Sequence, residues 1–366
     1  MNILELCLSP ALGGLELYMY RSAKHLSETD PVTGVICEDG QLKAFFEREG
    51  LAFSTEKTFF HAFPVFTAKR LASLIDVREI DVIHTHWGKD LPLAALSKWF
   101  SKRKPRLVYT RQMKMTRSKD DFYHNFLYGQ MDLMLCITDT LAAEAKQFLN
   151  NEYVAKIKRL YYGVDTPSHL LTHEERQGLR QDWGVKKDDF LIGLFGRIEE
   201  SKRQHLLIDV IAKAKEAQQD MRALIVGHAM NGSYLENLKS RVTETGLKEE
   251  IIFKGFVARP QDWMQACDCV VLASFEETFG LVLIEAMQVG VPVVGTNRGG
   301  VPEIIDHEET GFLFESDDGD GLYKCLRSLK MDEDLRQKLA KAGQLKARHF
   351  FATEDHFKRL RACLKG

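Results

Sequence analysis

A strand, a helix and a second strand follow one another within residues 270–303, and this pattern constrains the fold most. The run 270–273 is wholly apolar, as in a buried strand, and a polar turn follows it. Apolar residues at helical spacing come next and end before Gly290 and Pro292, which typically close helices. A second apolar run, 291–294, leads into another turn. Strand, helix and strand in this order form a βαβ unit of a parallel sheet.

The same alternation of apolar runs and helical stretches continues through both halves of the chain. At 366 residues, the chain exceeds the size at which one hydrophobic core usually stops growing. The sequence therefore predicts an α/β protein with two doubly wound, Rossmann-like domains.

Composition and charge narrow the class of protein. Hydrophobic residues make up 45% of the chain and charged residues 28%, as in ordinary soluble globular proteins. A net charge of −2 argues against a protein that binds nucleic acid. Seven irregularly spaced cysteines indicate reduced thiols. Because the sequence shows neither a signal peptide nor an apolar run long enough to span a bilayer, we expect a cytoplasmic protein.

Two carboxylates occupy chemically different places in the βαβ unit. Glu277 lies in the turn after the first strand, where open parallel sheets bind their ligands. Glu285 lies inside the helix, about 7.5 Å along its axis from Gly280, and can reach another part of the same ligand. The N–H groups of Phe279, Gly280 and Leu281 at the helix start suit phosphate oxygens or sugar hydroxyls. Taken singly, a helix-capping Glu277 and a solvated Glu285 are the more common arrangement.

The surrounding string is more specific than this spacing. The letters EETFGLVLIEAM, then GVPVV and GGVPE, resemble the E-x7-E signature of retaining family 4 glycosyltransferases. The resemblance implies the GT-B fold, in which two Rossmann-like domains face each other across a cleft. Residues 1–165 would bind the acceptor and 166–345 the nucleotide sugar, with a helix at 346–366 returning to the first domain. Glu277 and the helix start would hold the sugar, and Glu285 the ribose.

Further motifs of this family match elsewhere. One run resembles G-R-x-x-x-x-K, and the resemblance implies that Arg197 and Lys202 stabilise the leaving diphosphate. Gly13 and Gly14 match a G-G-x-E loop that faces this diphosphate, although a glycine pair between strand and helix is more often only a tight turn. Val257 ends a strand where relatives hold the nucleotide base through backbone contacts.

The resemblance is weaker on the acceptor side. His84 and His86 point to the same side of a strand end, where a core histidine is the usual interpretation. The run DVIHTHW resembles the family's H-x-H, which favours His86 as an acceptor-side residue. After the next strand, relatives place a histidine in a T-x-H setting, whereas this chain has Arg111 and Gln112. Gln112 can hydrogen-bond a sugar hydroxyl, but it cannot exchange a proton near neutral pH.

A basic segment, Lys98 to Lys119, contains nine Lys or Arg and no Asp or Glu, with aromatic residues among them. Such runs are usually solvated surface. Two functional interpretations remain open, contact with an anionic membrane and recognition of a phosphorylated or acidic acceptor. Two D-x-D strings, at 318–320 and 332–334, do not follow buried strands. We expect them to cap helices, and we expect no metal site.

The sequence thus predicts a retaining, metal-independent glycosyltransferase that needs no cofactor. It would move a sugar from a nucleotide sugar, with a UDP-sugar favoured, to a glycan or lipid-linked acceptor. Family analogy points to bacterial lipopolysaccharide or surface polysaccharide synthesis, with the enzyme peripheral at the inner face of the cytoplasmic membrane. Two alternatives are a GT-B sugar-nucleotide epimerase, which needs no acceptor surface, and a non-catalytic carbohydrate-binding protein, which only Gln112 supports.

Overall fold

The computed structural model describes residues 1–57, 61–167, 169–229 and 232–366. The chain forms two compact units, each built on one parallel sheet. The first unit contains residues 1–163 and 354–366, and the second contains residues 164–353. None of the helices in the described ranges is both long and apolar enough to cross a membrane.

The first unit has a seven-stranded sheet with helices on both faces. Its strands are β1 (Ile3–Cys7), β2 (Val32–Cys37), β3 (Phe53–Glu56), β4 (Val82–Thr85), β5 (Arg106–Arg111), β6 (Leu133–Cys136) and β7 (Ile157–Arg159). The α-helices between them are α1 (Gly14–Ser27), α2 (Leu42–Glu49), α3 (Val65–Val77), α4 (Leu91–Phe100), α5 (Phe122–Gln130) and α6 (Asp139–Phe148). The strand order is β3-β2-β1-β4-β5-β6-β7, and all neighbouring strands are parallel.

The second unit repeats this plan with six strands. They are β8 (Phe190–Phe195), β9 (Met221–Val226), β10 (Ile251–Lys254), β11 (Cys269–Leu272), β12 (Val293–Thr296) and β13 (Phe312–Phe314), in the order β10-β9-β8-β11-β12-β13. Its helices are α7 (His173–Asp182), α8 (Gln204–Glu216), α9 (Gly232–Glu244), α10 (Pro260–Met264), α11 (Leu281–Gln288), α12 (Val301–Ile304), α13 (Gly319–Met331) and α14 (Glu333–Phe350). The predicted α/β class with two doubly wound sheets is confirmed.

Both sheets reverse their winding direction at one place. The first unit winds outward from β1 through β2 to β3 and then resumes on the other side of β1 with β4. The second unit does the same at β8 and β11. In open parallel sheets, ligands bind beyond the carboxyl ends of the two strands at such a switch point. We therefore expect ligands to bind at the loops after β1, β4, β8 and β11.

A last helix, α15 (Thr353–Lys365), belongs to the first unit. Its Phe357, Leu360 and Leu364 are buried in one cluster with residues of β1, β4 and β5. Its His356 is also buried, and its ring nitrogens lie 3.0 Å from the Tyr18 hydroxyl and 2.6 Å from the Tyr161 carbonyl oxygen. Where the sequence predicts one helix at 346–366, the structure has the end of α14 and then α15.

The two D-x-D strings begin helices, as predicted. Asp318 accepts a hydrogen bond from the Gly321 N–H at the start of α13, and Asp332 accepts one from the Leu335 N–H at the start of α14. Both carboxylates therefore satisfy backbone donors that the helix itself leaves open.

Candidate functional site

The loops after β8 and β11 meet at the switch point of the second sheet. The Phe275 N–H donates to the Ser201 carbonyl at 3.0 Å, which ties the two loops together. Beside this contact, the Lys202 Nζ lies 2.5 Å from the Glu277 Oε2. The two side chains are 19% and 21% exposed, so they form a largely buried ion pair that still has one side open to solvent.

The Glu277 loop is also held from the turn after β12. The Gly300 N–H donates to the Glu277 carbonyl at 2.9 Å. Gly299 has a φ of +63°, and a Cβ at this position would lie 2.1 Å from the same carbonyl oxygen. Only glycine fits there without moving the loop that carries Glu277.

Replacing Gly299 with alanine is expected to lower kcat/KM about 10²-fold, because the added methyl group displaces the Glu277 backbone by about 1 Å. Gly246→Ala is the matched control, since Gly246 has a φ of +67° and open space around its Cβ position. Both variants should lose about 1–2 kcal/mol of unfolding free energy through the left-handed backbone. Steady-state kinetics on folded protein separate them, and equal kcat/KM values for the two variants would contradict the steric argument.

Arg197 lies at the end of β8, on the same edge. Its carbonyl accepts a hydrogen bond from the Gln204 Nε2 at 2.8 Å, and its Nη2 lies 3.1 Å from the Glu199 Oε1. The Arg197 side chain remains 52% exposed. The backbone is therefore fixed while the guanidinium can still meet an anionic ligand.

A pocket of about 310 Å³ opens beside Arg197. Four residues proposed from the sequence line it: Arg197, Val257, Leu281 and Glu285. Two further lining residues, His228 and Phe256, were not proposed, and their rings lie 6.4 Å apart. The walls are mainly apolar, while Arg197 and Glu285 add charge. This combination suits a flat apolar base joined to a hydroxyl-bearing, anionic group.

The remaining donor-side candidates, Phe279 and Gly280, offer main-chain groups to a ligand. Phe279 is 3% exposed, and its ring packs 6.0 Å from the ring of Phe351. Gly280 adopts a φ of +105° as the residue that caps the start of α11. The side chain of Phe279 is thus part of the core, and Phe279 and Gly280 can offer a ligand only their main-chain groups.

In the first unit, the loop after β1 leads directly into α1. The Gly13 N–H donates to the Glu16 Oε2 at 2.8 Å, so Glu16 closes the helix start onto the loop. A Cβ at Gly14 would meet no atom within 4 Å among the described residues. The glutamate of the G-G-x-E motif therefore has a structural role, and the backbone at Gly14 borders open space.

His86 does not face solvent. His84 and His86 are fully buried, as is Glu5 in the middle of β1. The Glu5 Oε1 lies 3.0 Å from the His84 Nδ1 and accepts from the Ser22 hydroxyl at 2.8 Å, while its Oε2 lies 2.5 Å from the His86 Nε2. The structure thus places His86 in a hydrogen-bonded core cluster, the alternative to an acceptor-side role.

The electrostatics of this cluster follow from its contacts. Burial alone would raise the pKa of Glu5, but the two imidazoles, His84 first, outweigh burial and hold this pKa at about 2. Burial, and then the neighbouring His84, lowers the pKa of His86 to about 4. Because an ionised carboxylate only accepts hydrogen bonds, the His86 Nε2–H donates to Glu5.

The same cluster could offer metal ligands, since ligand atoms of Glu5, His84 and His86 lie within 4.8 Å of one another. Both carboxylate oxygens of Glu5 already accept hydrogen bonds, however. We therefore interpret the cluster as a hydrogen-bonded group that satisfies a buried charge.

Arg111 and Gln112 are also buried, at the end of β5. The Arg111 Nη1 donates to the Tyr109 hydroxyl at 3.4 Å, and the Gln112 Nε2 has no hydrogen-bond partner among the described residues. Asp90, which was not proposed, accepts from the Leu8 N–H at 2.7 Å, and burial raises its pKa to about 7. The carboxyl edge of the first sheet thus holds several buried polar groups.

The basic segment does not form one surface. Lys98 is paired with Asp132, and Arg103 with Asp81, while Arg111 is buried. Its exposed cations include Lys102 and Lys104 in the loop before β5 and Arg117 in the loop after it. These cations lie at opposite ends of β5, so they do not act together on one anionic partner.

Two family models match most of the chain. Residues 12–167 match the model of Glycosyltransferase Family 4, and residues 175–346 match that of Glycosyl transferases group 1. Among curated proteins, the chain is 23% identical to N-acetyl-alpha-D-glucosaminyl L-malate synthase of Bacillus anthracis, over 78% of this chain and 75% of that protein. It is 28% identical to the lipopolysaccharide core biosynthesis mannosyltransferase LpsB of Rhizobium meliloti, over 66% of each chain.

Solved structures show the same fold over the whole chain. Anabaena HepE in complex with UDP is 25% identical, with a TM-score of 0.88 and full coverage of both chains. A glycosyltransferase from Rickettsia africae is 19% identical, with a TM-score of 0.90 over 100% of this chain and 97% of that one. The chain therefore belongs to glycosyltransferase family 4, and it is a glycosyltransferase of the GT-B fold.

Proposed function

We propose that this glycosyltransferase moves a sugar from a nucleotide sugar to a glycan or lipid-linked acceptor, with retention at the anomeric carbon and without a metal ion. One observation carries the proposal. Arg197, Lys202, Glu277 and Glu285 lie on the loops and helix at one switch point, beside a pocket of nucleoside size. A UDP-sugar is the favoured donor, because Anabaena HepE, which is similar over the whole chain, was solved in complex with UDP.

The pocket is proposed to hold the nucleoside. Phe256 and Val257 offer apolar surface for the base, and Glu285, which lines the same pocket, can accept hydrogen bonds from ribose hydroxyls. Arg197 lines the same pocket and marks the side on which the diphosphate would lie. The donor would therefore run from the pocket toward the Lys202–Glu277 pair.

Lys202 and Arg197 are proposed to stabilise the leaving diphosphate. Among the described residues, the Lys202 ammonium pairs with the Glu277 carboxylate alone, at 2.5 Å. A bound diphosphate would add negative charge beside this ammonium, and that charge grows as the bond to the anomeric carbon breaks. Fixed positive groups are most effective where charge develops in the transition state. Glu277, held by the turn after β12, is proposed to accept hydrogen bonds from the transferred sugar.

The proposed transfer balances without a base or metal from the protein. The bond between the anomeric carbon and the diphosphate oxygen breaks, and a bond to the acceptor oxygen forms on the same face of the sugar. The acceptor proton passes to the leaving diphosphate, so the two-carboxylate scheme of glycoside hydrolases is not needed. Gln112 is compatible with this scheme, because it would only have to hydrogen-bond a hydroxyl.

The acceptor is proposed to belong to bacterial lipopolysaccharide or surface polysaccharide synthesis. The similarity to the lipopolysaccharide core mannosyltransferase of Rhizobium meliloti supports this class. We further propose that the enzyme acts in the cytoplasm, peripheral at the inner face of the membrane. Membership of a glycosyltransferase family disfavours both the epimerase and the non-catalytic alternative.

Isothermal titration calorimetry of UDP, GDP and ADP, in EDTA, tests the donor site. We expect UDP to bind the wild type and the double variant Arg197→Ala/Lys202→Ala to lose at least tenfold in affinity, since two charge-assisted contacts are removed. Lys213→Ala/Arg241→Ala is the matched control, because it removes the same charge from exposed ion pairs of the same unit. Equal affinity in the double variant, or binding that requires a metal ion, would contradict the proposal.

A further inference from the structure

Three phenylalanine side chains protrude from one edge of the first unit. Phe63 is 68% exposed, Phe66 84% and Phe122 92%. Phe63 and Phe66 lie at the start of α3, which follows β3, and Phe122 begins α5, which follows β5. Since a helix that follows a strand starts at that strand's carboxyl end, all three lie at the carboxyl edge of the sheet. This is the edge on which ligands of such sheets bind.

These side chains form one patch, which we call the aromatic edge patch (Phe63, Phe66 and Phe122). The Tyr123 hydroxyl donates to the Ala62 carbonyl at 2.6 Å. The rings of Phe63 and Tyr123 lie 5.1 Å apart. The starts of α3 and α5 are therefore in contact. One exposed apolar residue is ordinary, but several large ones gathered on one patch mark an interaction surface.

Three cations lie on loops at the same carboxyl edge as the aromatic edge patch. Lys89 lies in the loop after β4, over the ring of Trp87, and Arg117 and Lys119 lie in the loop after β5. Within the described ranges, none of these three cations forms an ion pair with a carboxylate. Both loops belong to the same carboxyl edge as the patch, so their three cations are available to an anionic partner.

Two acidic residues before Phe122 offset part of this charge, and both have hydrogen-bond partners at the start of α5. Asp121 accepts from the His124 N–H at 3.0 Å and lies 2.6 Å from the ring of the same histidine. Asp120 accepts from the side-chain amides of Asn125 and Asn150. Both carboxylates thus organise the start of α5, from which Phe122 protrudes.

We propose that the aromatic edge patch inserts into the interfacial region of an anionic phospholipid bilayer. Protruding phenylalanines beside lysine and arginine are the combination that binds such interfaces, since the rings enter the acyl boundary while the cations meet the headgroups. The inference deepens the proposed function and rests on it in one respect. It makes the acceptor lipid-linked, with its lipid held in the bilayer at the edge to which the acceptor site is assigned.

Vesicle co-sedimentation tests the proposal. Wild type and Phe63→Ser/Phe66→Ser/Phe122→Ser are mixed with vesicles of phosphatidylcholine alone or with phosphatidylglycerol added. The matched control is Val77→Ser/Met331→Ser/Leu345→Ser, which removes three other exposed apolar side chains, one of them at the far end of α3. We expect wild type and control to bind, more strongly with phosphatidylglycerol. The patch variant should lose at least tenfold in partitioning.

A second variant, Lys89→Gln/Arg117→Gln/Lys119→Gln, tests the contribution of the three cations to binding. It should bind phosphatidylcholine vesicles as wild type does and lose the gain from phosphatidylglycerol. Wild-type binding by the patch variant, or a wild type that stays in solution with both vesicles, overturns the proposal. A third outcome also overturns the proposal, in favour of a glycan surface: the patch variant loses activity on a short soluble glycan, and the wild type does not bind vesicles.

UDP calorimetry on the same samples keeps the two proposals apart. The patch lies in the first unit and the candidate donor pocket in the second, so the patch variant should bind UDP as wild type does. Vesicle binding without UDP binding would contradict the proposed function alone. UDP binding without vesicle binding would contradict only the membrane surface.

Discussion

Lys202→Met is expected to lower kcat about 10²–10³-fold, because it removes a fixed positive charge from the place where the leaving diphosphate becomes negative. Methionine keeps most of the length of the lysine side chain, so the variant removes charge more than volume. It also leaves Glu277 without the ammonium that lies 2.5 Å away in the free protein. The affinity for UDP should fall less than kcat, since the contact is strongest in the transition state. Steady-state kinetics with the nucleotide identified by calorimetry measure both.

Lys213→Met is the matched control for this prediction. Lys213 lies on α8 in the same unit, and its Nζ pairs with the Asp320 carboxylate at 2.5 Å. Both side chains are largely exposed, so loss of this pair should leave kcat unchanged. A Lys202→Met enzyme with the kcat of the control would show that Lys202 does not act on the leaving group.

The candidate donor site could be anticipated from the sequence in part, because strand ends in a parallel sheet share one edge. That rule places Glu277 and the Arg197 loop on the same side of the second sheet. It does not place Lys202 against Glu277. The two residues belong to different loops, and their contact depends on how Phe275 and Ser201 join those loops.

The residues that line the pocket could likewise be predicted from the sequence only in part. Val257 and Glu285 were chosen from motifs, and both line it. His228 and Phe256 were not chosen, although each follows a glycine that comes directly after a strand. The position of His228 depends on the close approach of the loops after β8 and β9, which hydrogen-bond between the Ile198 N–H and the His228 carbonyl. A local pattern contains no signal for such a contact, but a histidine directly after a Gly that ends a strand is a hint.

The first unit was harder to predict. The histidine pair at the end of β4 was recognised, but its partner Glu5 was not, because β1 and β4 are far apart in the sequence. The available signal was a lone carboxylate between the apolar residues of β1, since a buried charge requires a partner. The basic segment could not be resolved either, because the pairing of Lys98 and Arg103 depends on which acids the neighbouring strands bring close.

Asp268→Ala is expected to lower the free energy of unfolding by about 3–5 kcal/mol, because it breaks a largely buried ion pair and leaves one charge unpaired. The Asp268 carboxylate accepts from the Arg180 Nη1 at 3.0 Å and from the Leu191 N–H at 2.7 Å, and it pairs with Arg176 at 2.9 Å. Arg180 is 3% exposed, so its guanidinium cannot regain water. Urea unfolding curves of the wild type and the variant measure this loss.

Asp209→Ala tests whether burial of the ion pair is the reason for the large loss of unfolding free energy. Asp209 pairs with Arg241 at 2.5 Å, but these side chains are 39% and 47% exposed, so the loss should stay below about 1 kcal/mol. Equal losses in the two variants would contradict the argument from burial. Because Asp268 directly precedes β11, it lies at the opposite end of that strand from Glu277, and the folded variant should still bind UDP as the wild type does. Loss of stability without loss of nucleotide affinity would then separate the groups that hold the second unit together from those proposed to act on the donor.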